Sequence, residues 1–539
     1  MYNFDYHDIM IEKYFKFLFV CLVSLASIAT GCKKSDPAPA PTPVTPVTTV
    51  TASRTELTKD SIFLYAKELY YWNTSLPAYD VFKPRNFSSN ETELYALTQY
   101  SLNPATGQPY EYVSGSSSPK YSFFDYGTTG KTASLKADVN GTETDYGFSI
   151  LYNTATDLRV KYVYPNSPAS KQGLTRGCKI TAVNARTNLT YGTSNITFLN
   201  DALFGTNTVV SLTFTDLAGV TKTATITKAT YTVNPILYTN VYTAGTKKVG
   251  YIVFNSFTNN ASAAISNAFA NFAAQGATEV IVDLRYNGGG YVSTATQIIN
   301  ILSPAAQTGN IMYTTYYNSL LQNLTTTQRK ASVLANQPLT DDQGKLQTFT
   351  TGVNGKYATY ADLNYSPTSA DNIEKFSKSG SLNLSRVYFI VTGSTASASE
   401  LTVNSLKPVM DVKLIGTTTY GKPVGFFPIK IDKVDMYIPE FETKNQSGAG
   451  GYYAGLTVDK EAYEDLTKAW GDDSETLLAY ALLYAKTGSF VTSAAKTSAL
   501  SSQSTTMATR LSATEIKQVA ESLDQHSFKG MVYQPRRKF

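Results

Sequence analysis

The chain has 539 residues, 42% of them hydrophobic and 16% charged, with 46 Lys and Arg against 41 Asp and Glu for a net charge of +5. This excludes a disordered polypeptide, asks for more than one domain, and offers no dense basic run in the body of the chain for nucleic acid. Two histidines (His7, His526) and three cysteines (Cys21, Cys32, Cys178) supply neither a disulfide framework nor a zinc site, so no metal or cofactor is expected.

Lys13 and Lys16 precede the apolar run Phe17-Leu18-Phe19-Val20-Cys21-Leu22-Val23, and small residues then lead to Cys32. The run is short for a membrane span and has the layout of a signal peptide over residues 1–31. A cysteine directly after small residues resembles the bacterial lipobox. That resemblance implies acylation of Cys32 and an exported protein anchored by lipid in the bacterial cell envelope, at the outer membrane or facing the periplasm. An ordinary signal peptide with an incidental cysteine is the plainer alternative. Residues 32–53 are rich in Pro, Thr, Ala and Val, which keeps them extended as a tether.

Over residues 54–136 the spacing of Ile62, Tyr65, Leu69 and Trp72 predicts a helical N-terminal domain. From 137 to 230 the texture changes to short strands and turns. Tyr146-Gly147-Phe148-Ser149, then Asn166-Ser167-Pro168-Ala169, then Gly173-Leu174 and Gly177 resemble a PDZ domain of the bacterial protease kind. The resemblance implies that Tyr146, Gly147, Phe148 and Ser149 form a loop whose N–H groups bind the terminal carboxylate of a peptide added as a strand. A small β domain with a tight turn is the alternative. Cys178 reads as a small buried side chain.

Residues 240–484 alternate strands and helices, an α/β core with a mixed sheet. Within it, 304–385 is polar and reads as an insertion. The tail, 485–539, is Ser/Thr/Ala-rich with one predicted helix over 513–523 and carries no assigned function.

Three segments of the core carry chemistry. Asp283-Leu284-Arg285-Tyr286-Asn287-Gly288-Gly289-Gly290 ends a strand in glycines that let the backbone approach a ligand. Gly393-Ser394-Thr395-Ala396-Ser397-Ala398-Ser399-Glu400 passes from strand to helix, where a nucleophile is exposed beside the next residue's N–H. Thr419-Tyr420-Gly421-Lys422-Pro423-Val424-Gly425 sets a lysine in apolar surroundings, where desolvation makes a neutral base. Each alone is a weak signal.

Together, in this order, the three resemble the C-terminal processing (tail-specific) serine peptidases, which join a PDZ domain to a Ser/Lys dyad on an α/β core. The resemblance covers about residues 54–483, the insertion excepted. It implies Ser397 as nucleophile, Lys422 as base, and the N–H groups of Ala398 and Gly289 as the oxyanion hole. The partners it implies are polypeptides recognised through their C-termini. Many members place Gln four residues after the lysine; here Phe426 stands there, and Thr419 is a candidate for positioning the amine instead. Glu400 reads as structural support at the start of a helix. The second function consistent with this pattern is a peptide-binding envelope lipoprotein that kept the fold and lost turnover.

Overall fold

The computed structural model describes residues 52–126, 141–340, 345–491, 523 and 529–533. The expected signal peptide, Cys32, most of the tether, His526 and the predicted tail helix apart from Leu523 lie outside the described residues.

The first helix, α1 (Arg54–Leu69), starts at a capping box: Glu56 N–H donates to the Ser53 hydroxyl at 3.2 Å, and Ser53 N–H to the Glu56 carboxylate at 2.7 Å. With α2 (Asn90–Thr98) it makes the expected helical region. These helices do not own a separate core. Ile62, Phe63 and Leu69 share one apolar cluster with Ile252, Val280 and Phe389, because two short helices cannot enclose their own apolar faces.

The small β domain is a five-stranded antiparallel sheet ordered β1 (Phe148–Thr154), β2 (Asp157–Val163), β3 (Lys179–Val183), β4 (Val209–Thr215), β5 (Thr221–Thr227). The helix α3 (Thr193–Phe204) shares its apolar cluster, and Cys178 is fully buried in it. β1 is an edge of this sheet.

The core sheet begins with β6 (Ile236–Ala244) and β7 (Lys247–Phe254), followed by α4 (Ser262–Ala274) and β8 (Glu279–Asp283). The glycine turn gives the short strand β9 (Gly289–Tyr291) and then α5 (Val292–Leu302). β10 (Ile311–Tyr317) and β11 (Ile373–Lys375) precede β12 (Arg386–Val391), α6 (Ala398–Leu406) and β13 (Asp411–Gly416). The chain continues through β14 (Val424–Gly425), β15 (Phe441–Asn445), β16 (Lys460–Glu461) and α7 (Thr476–Thr487) to β17 (Gly530–Val532). The six-stranded sheet runs β16-β13-β12-β8-β7-β6, parallel except for the last pair. Both faces are covered, which is why β8 and β12 read as near-continuous apolar runs. Val280 and Val282 join the cluster of α4, α5 and α6, while Ile281 joins that of α7.

The expected insertion at 304–385 needs correction. β10 lies inside a second sheet, ordered β11-β10-β15-β14, with Tyr313 and Tyr317 buried. Its aromatics pack against strands that border the lysine segment, so at least this part of the stretch belongs to the core.

Candidate active site

The three chemical segments leave the carboxyl ends of β8, β12 and β13, which are adjacent strands; loops there converge at one edge of the sheet. After β12 the Thr395 hydroxyl receives Thr392 N–H at 2.9 Å and donates to Leu284 C=O at 2.7 Å, tying the serine turn to the glycine turn. Asn287 C=O accepts both Ala396 N–H and the Ser399 hydroxyl, each at 3.0 Å. Ser397 then sits at φ 60°, ψ −108°, a left-handed conformation that costs a side-chain-bearing residue energy and is held by these bonds. Its hydroxyl is fully buried and has no hydrogen-bond partner.

Glu400, one turn into α6, is fully buried and gathers four donors. Oε2 accepts the N–H groups of Ser397 and Lys422, and Oε1 those of Gly421 and the Thr419 hydroxyl, at 2.5–2.8 Å. Burial pushes its carboxyl up, while these donors pull it back. Thr419 therefore serves Glu400 and, by accepting Leu456 N–H at 2.7 Å, its own loop; it does not orient the lysine amine.

The Lys422 side chain is fully buried. Its amine lies 4.1 Å from the centre of the Phe426 ring and 5.6 Å from that of Tyr121. Desolvation pushes its pKa down to about 7; the buried Glu111 and Glu400 resist that shift and Lys120 aids it. The amine donates at 2.8 Å to Lys529 C=O, at the chain's own tail, and not to Ser397.

The glycine turn corrects one expectation. Gly289 N–H is donated to Asn287 Oδ1 at 2.9 Å, an Asx turn, so in this arrangement it is not open to an oxyanion. What Gly289 supplies is space. At φ +112°, a Cβ there would stand 3.1 Å from Ala398 N and 2.3 Å from Gly530 O, closing the gap in front of the Ala398 N–H. Asp283 and Arg285, from the same motif, form a buried ion pair at 2.7 Å that extends to Glu475 at 3.0 Å, and so brace the strand end.

Tyr146 and Gly147 precede the edge strand β1, and Phe148 and Ser149 open it. Gly147 N–H donates to Asp145 Oδ1 at 2.7 Å, and Tyr146 C=O receives Ala169 N–H at 2.8 Å. This corrects the expected carboxylate cradle at Gly147: its donor is spent on an acidic side chain, which would repel a second carboxylate.

Sequence reasoning missed the upstream groups that act on the lysine and its loop. Glu111 is a buried acceptor for the Tyr70 and Ser122 hydroxyls and two N–H groups, and the Tyr121 hydroxyl closes on Gly421 C=O at 2.6 Å. Both come from about 300 residues upstream, with no periodic signal to betray them. Among the described residues no group of three or more His, Cys, Asp or Glu side chains is placed to hold a metal ion.

A mixed sheet with three candidate loops at one edge, and a strained serine turn among them, defines an α/β fold with its candidate site at that edge. The pattern of peptidase family S41 matches residues 248–448 of the chain. It is 26% identical over 183 residues to the chloroplastic C-terminal processing peptidase of Tetradesmus obliquus, covering 32% of this chain and 39% of that protein. It is 29% identical over 170 residues to the carboxyl-terminal-processing protease of Picosynechococcus sp., covering 31% and 40%. The chain thus spans about two fifths of the length of these relatives. A candidate S41 protease of known structure from Bacteroides fragilis NCTC 9343 shares the fold, with a TM-score of 0.51 at 23% identity over 79% of this chain and 97% of that one.

Proposed function

We propose that the chain is a serine endopeptidase in which Lys422 activates Ser397. The observation that carries this is Glu400 Oε2, which holds the backbone of both residues at 2.8 Å while the lysine amine is buried and lowered to about 7. A neutral Lys422 takes the hydroxyl proton as Ser397 Oγ attacks a peptide carbonyl, and then returns it to the leaving amine. The Ala398 N–H, at the first turn of α6, faces the oxyanion through the gap that Gly289 keeps open, and such a donor is worth about 2.7–4 kcal/mol. Water then releases the acyl group from Ser397.

Substrates in this reading are unfolded polypeptides. The edge strand β1, with Phe148 and Ser149, is a site for adding a peptide strand in the PDZ manner. Selection of C-termini would rest on that edge and not on the Gly147 N–H. Export and a lipid anchor at Cys32 are part of the proposal on sequence grounds; metabolic fatty-acid labelling that survives Cys32→Ser would remove them.

The test is cleavage of a permanently unfolded protein with an apolar C-terminus. Ser397→Ala and Lys422→Ala abolish it if the reading holds; cleavage at the parent rate by either variant ends it. A peptide-binding protein without turnover is the second reading, favoured by the missing hydrogen bond between Ser397 and Lys422. Covalent labelling of Ser397 by a fluorophosphonate separates the two.

A further inference from the structure

The tail strand β17 pairs in parallel with β9, Gly530 opposite Gly289, Met531 opposite Gly290 and Val532 opposite Tyr291. Gly530 N–H donates to Gly288 C=O at 2.9 Å. On its other side Met531 C=O accepts Phe426 N–H, and Tyr533 N–H donates to Phe426 C=O, each at 3.0 Å. The tail is thus a middle strand between the glycine turn and the lysine segment, satisfied on both edges as an added peptide would be. Met531 is fully buried, and Val532 packs with Tyr291, Phe426 and Tyr437.

Its main chain also meets the chemistry. Lys529 C=O holds the Lys422 amine at 2.8 Å. Gly530 C=O reaches into the space beside Gly289 that Ala398 N also borders. Upstream, Leu523 is buried in the apolar cluster of the small β domain with Tyr146 and Phe148. The tail therefore touches both parts of the protein that handle peptide in the reading above.

Resting on that reading, we propose that residues 529–533 are an intramolecular ligand of the catalytic cleft, seated where a substrate peptide lies, and that turnover requires them to leave. The arrangement accounts for two facts at once: a base whose hydrogen goes to a tail carbonyl, and a nucleophile left without a partner. It also describes the peptide the cleft accepts. That peptide is extended and parallel to β9, with a small residue at the place of Gly530 and apolar ones at those of Met531 and Val532.

The full chain is compared with Met531→Asp, which puts a charge into the apolar seat, and with a chain stopped after Phe528. Hydrogen exchange at Phe426 and at residues 530–533 reads the seat without needing activity, and fluorophosphonate labelling reads access to Ser397. In the parent the Phe426 N–H, held by Met531 C=O, and the 530–533 amides are protected. In Met531→Asp, and at Phe426 in the shortened chain, protection is lost and labelling rises roughly tenfold or more, as expected when the open state was populated at about 10% or below. A synthetic peptide with the sequence of residues 528–534 then slows labelling of either altered chain. Rapid exchange of 530–533 in the parent overturns the seat, and unchanged labelling after its loss overturns the restraint. If no chain is labelled while the exchange difference stands, the tail's seat holds and the peptidase reading fails.

Discussion

Ser397 and Lys422 donate their backbone N–H groups to the same oxygen, Glu400 Oε2, each at 2.8 Å, so the two nitrogens lie within twice that distance of each other. One carboxylate on the first turn of α6 thereby sets the spacing of two loops that leave neighbouring strands.

That role separates two substitutions. In Glu400→Gln the amide oxygen can keep Ser397 and Lys422, while the amide nitrogen faces Thr419, whose hydroxyl can turn to accept, and orphans Gly421 N–H. The expected cost is about 1–3 kcal/mol of stability with most activity retained. Glu400→Ala orphans all four donors and lets the loops drift, lowering kcat by roughly a hundredfold. Denaturant unfolding and steady-state kinetics on both variants check this. Equal inactivation by Gln and Ala would mean that the charge of Glu400, and not its spacing of the loops, is what matters.

The depressed Lys422 amine fixes the direction of the pH response. The base works only when neutral, so kcat/KM falls as pH drops through about 7 and is level above it. Lys422→Arg cannot deprotonate and loses roughly a hundredfold or more at every pH. Stability follows the same group. Its folded pKa lies below the ordinary 10.5, so between about 7 and 10.5 the unfolded chain binds more protons and this group makes stability rise with pH. Lys422→Met is expected to be more stable than the parent at pH 7 and to lose that advantage toward pH 10.5. A rate flat from acid to alkaline pH would remove the lysine from the mechanism.

Phe426 lends itself to a sharper test. Its ring, 4.1 Å from the amine, stands four residues after the lysine, where the resemblance implies Gln, and presents an apolar face instead of a hydrogen bond. Phe426→Gln readmits polar contact and lets the amine return toward its ordinary range. The acid limb of the pH profile then moves up by about one unit, and the rate at pH 7 drops accordingly. A limb that stays in place would show that burial by the rest of the pocket alone sets the lysine.

The serine, the lysine, the glycine turn and the α/β texture could all be read from the chain because each is local: a strand, a turn and a few fixed neighbours. Phe426 reads in the sequence as a departure from the family pattern, while the placing of its ring against the amine comes from the folded chain. Glu111, Tyr121 and Lys529 could not be read at all, since their contact with the lysine segment is made by packing between distant parts of the chain. The Asx turn that occupies the Gly289 N–H is legible in Asn287-Gly288-Gly289, because an asparagine side chain reaches the N–H two residues on. The strand at 311–317 was hidden by its polar Thr and Tyr content, although Tyr317 packs there against the rings of Tyr365 and Phe441.

Arg285 tests whether the motif beside the glycines is structural. It is buried against Asp283 and Glu475, and it also contacts Glu464, which Arg176 of the small β domain holds at 2.7 Å. Burial pushes the Glu475 carboxyl up, but the charge and hydrogen bond of Arg285, with Arg176 behind it, bring it below its ordinary range. Arg285→Met leaves Asp283 and Glu475 buried without their main partner, at a cost of about 3–5 kcal/mol. A depressed carboxyl contributes stability above its unfolded pKa and loses it as pH falls through the folded one. The gap between parent and variant is therefore widest near neutral pH and narrows in acid, where the orphaned Glu475 carboxyl takes up a proton. A gap equally wide at pH 7 and in acid would point to lost packing around the guanidinium, and would leave the motif's charges without the bracing role assigned to them.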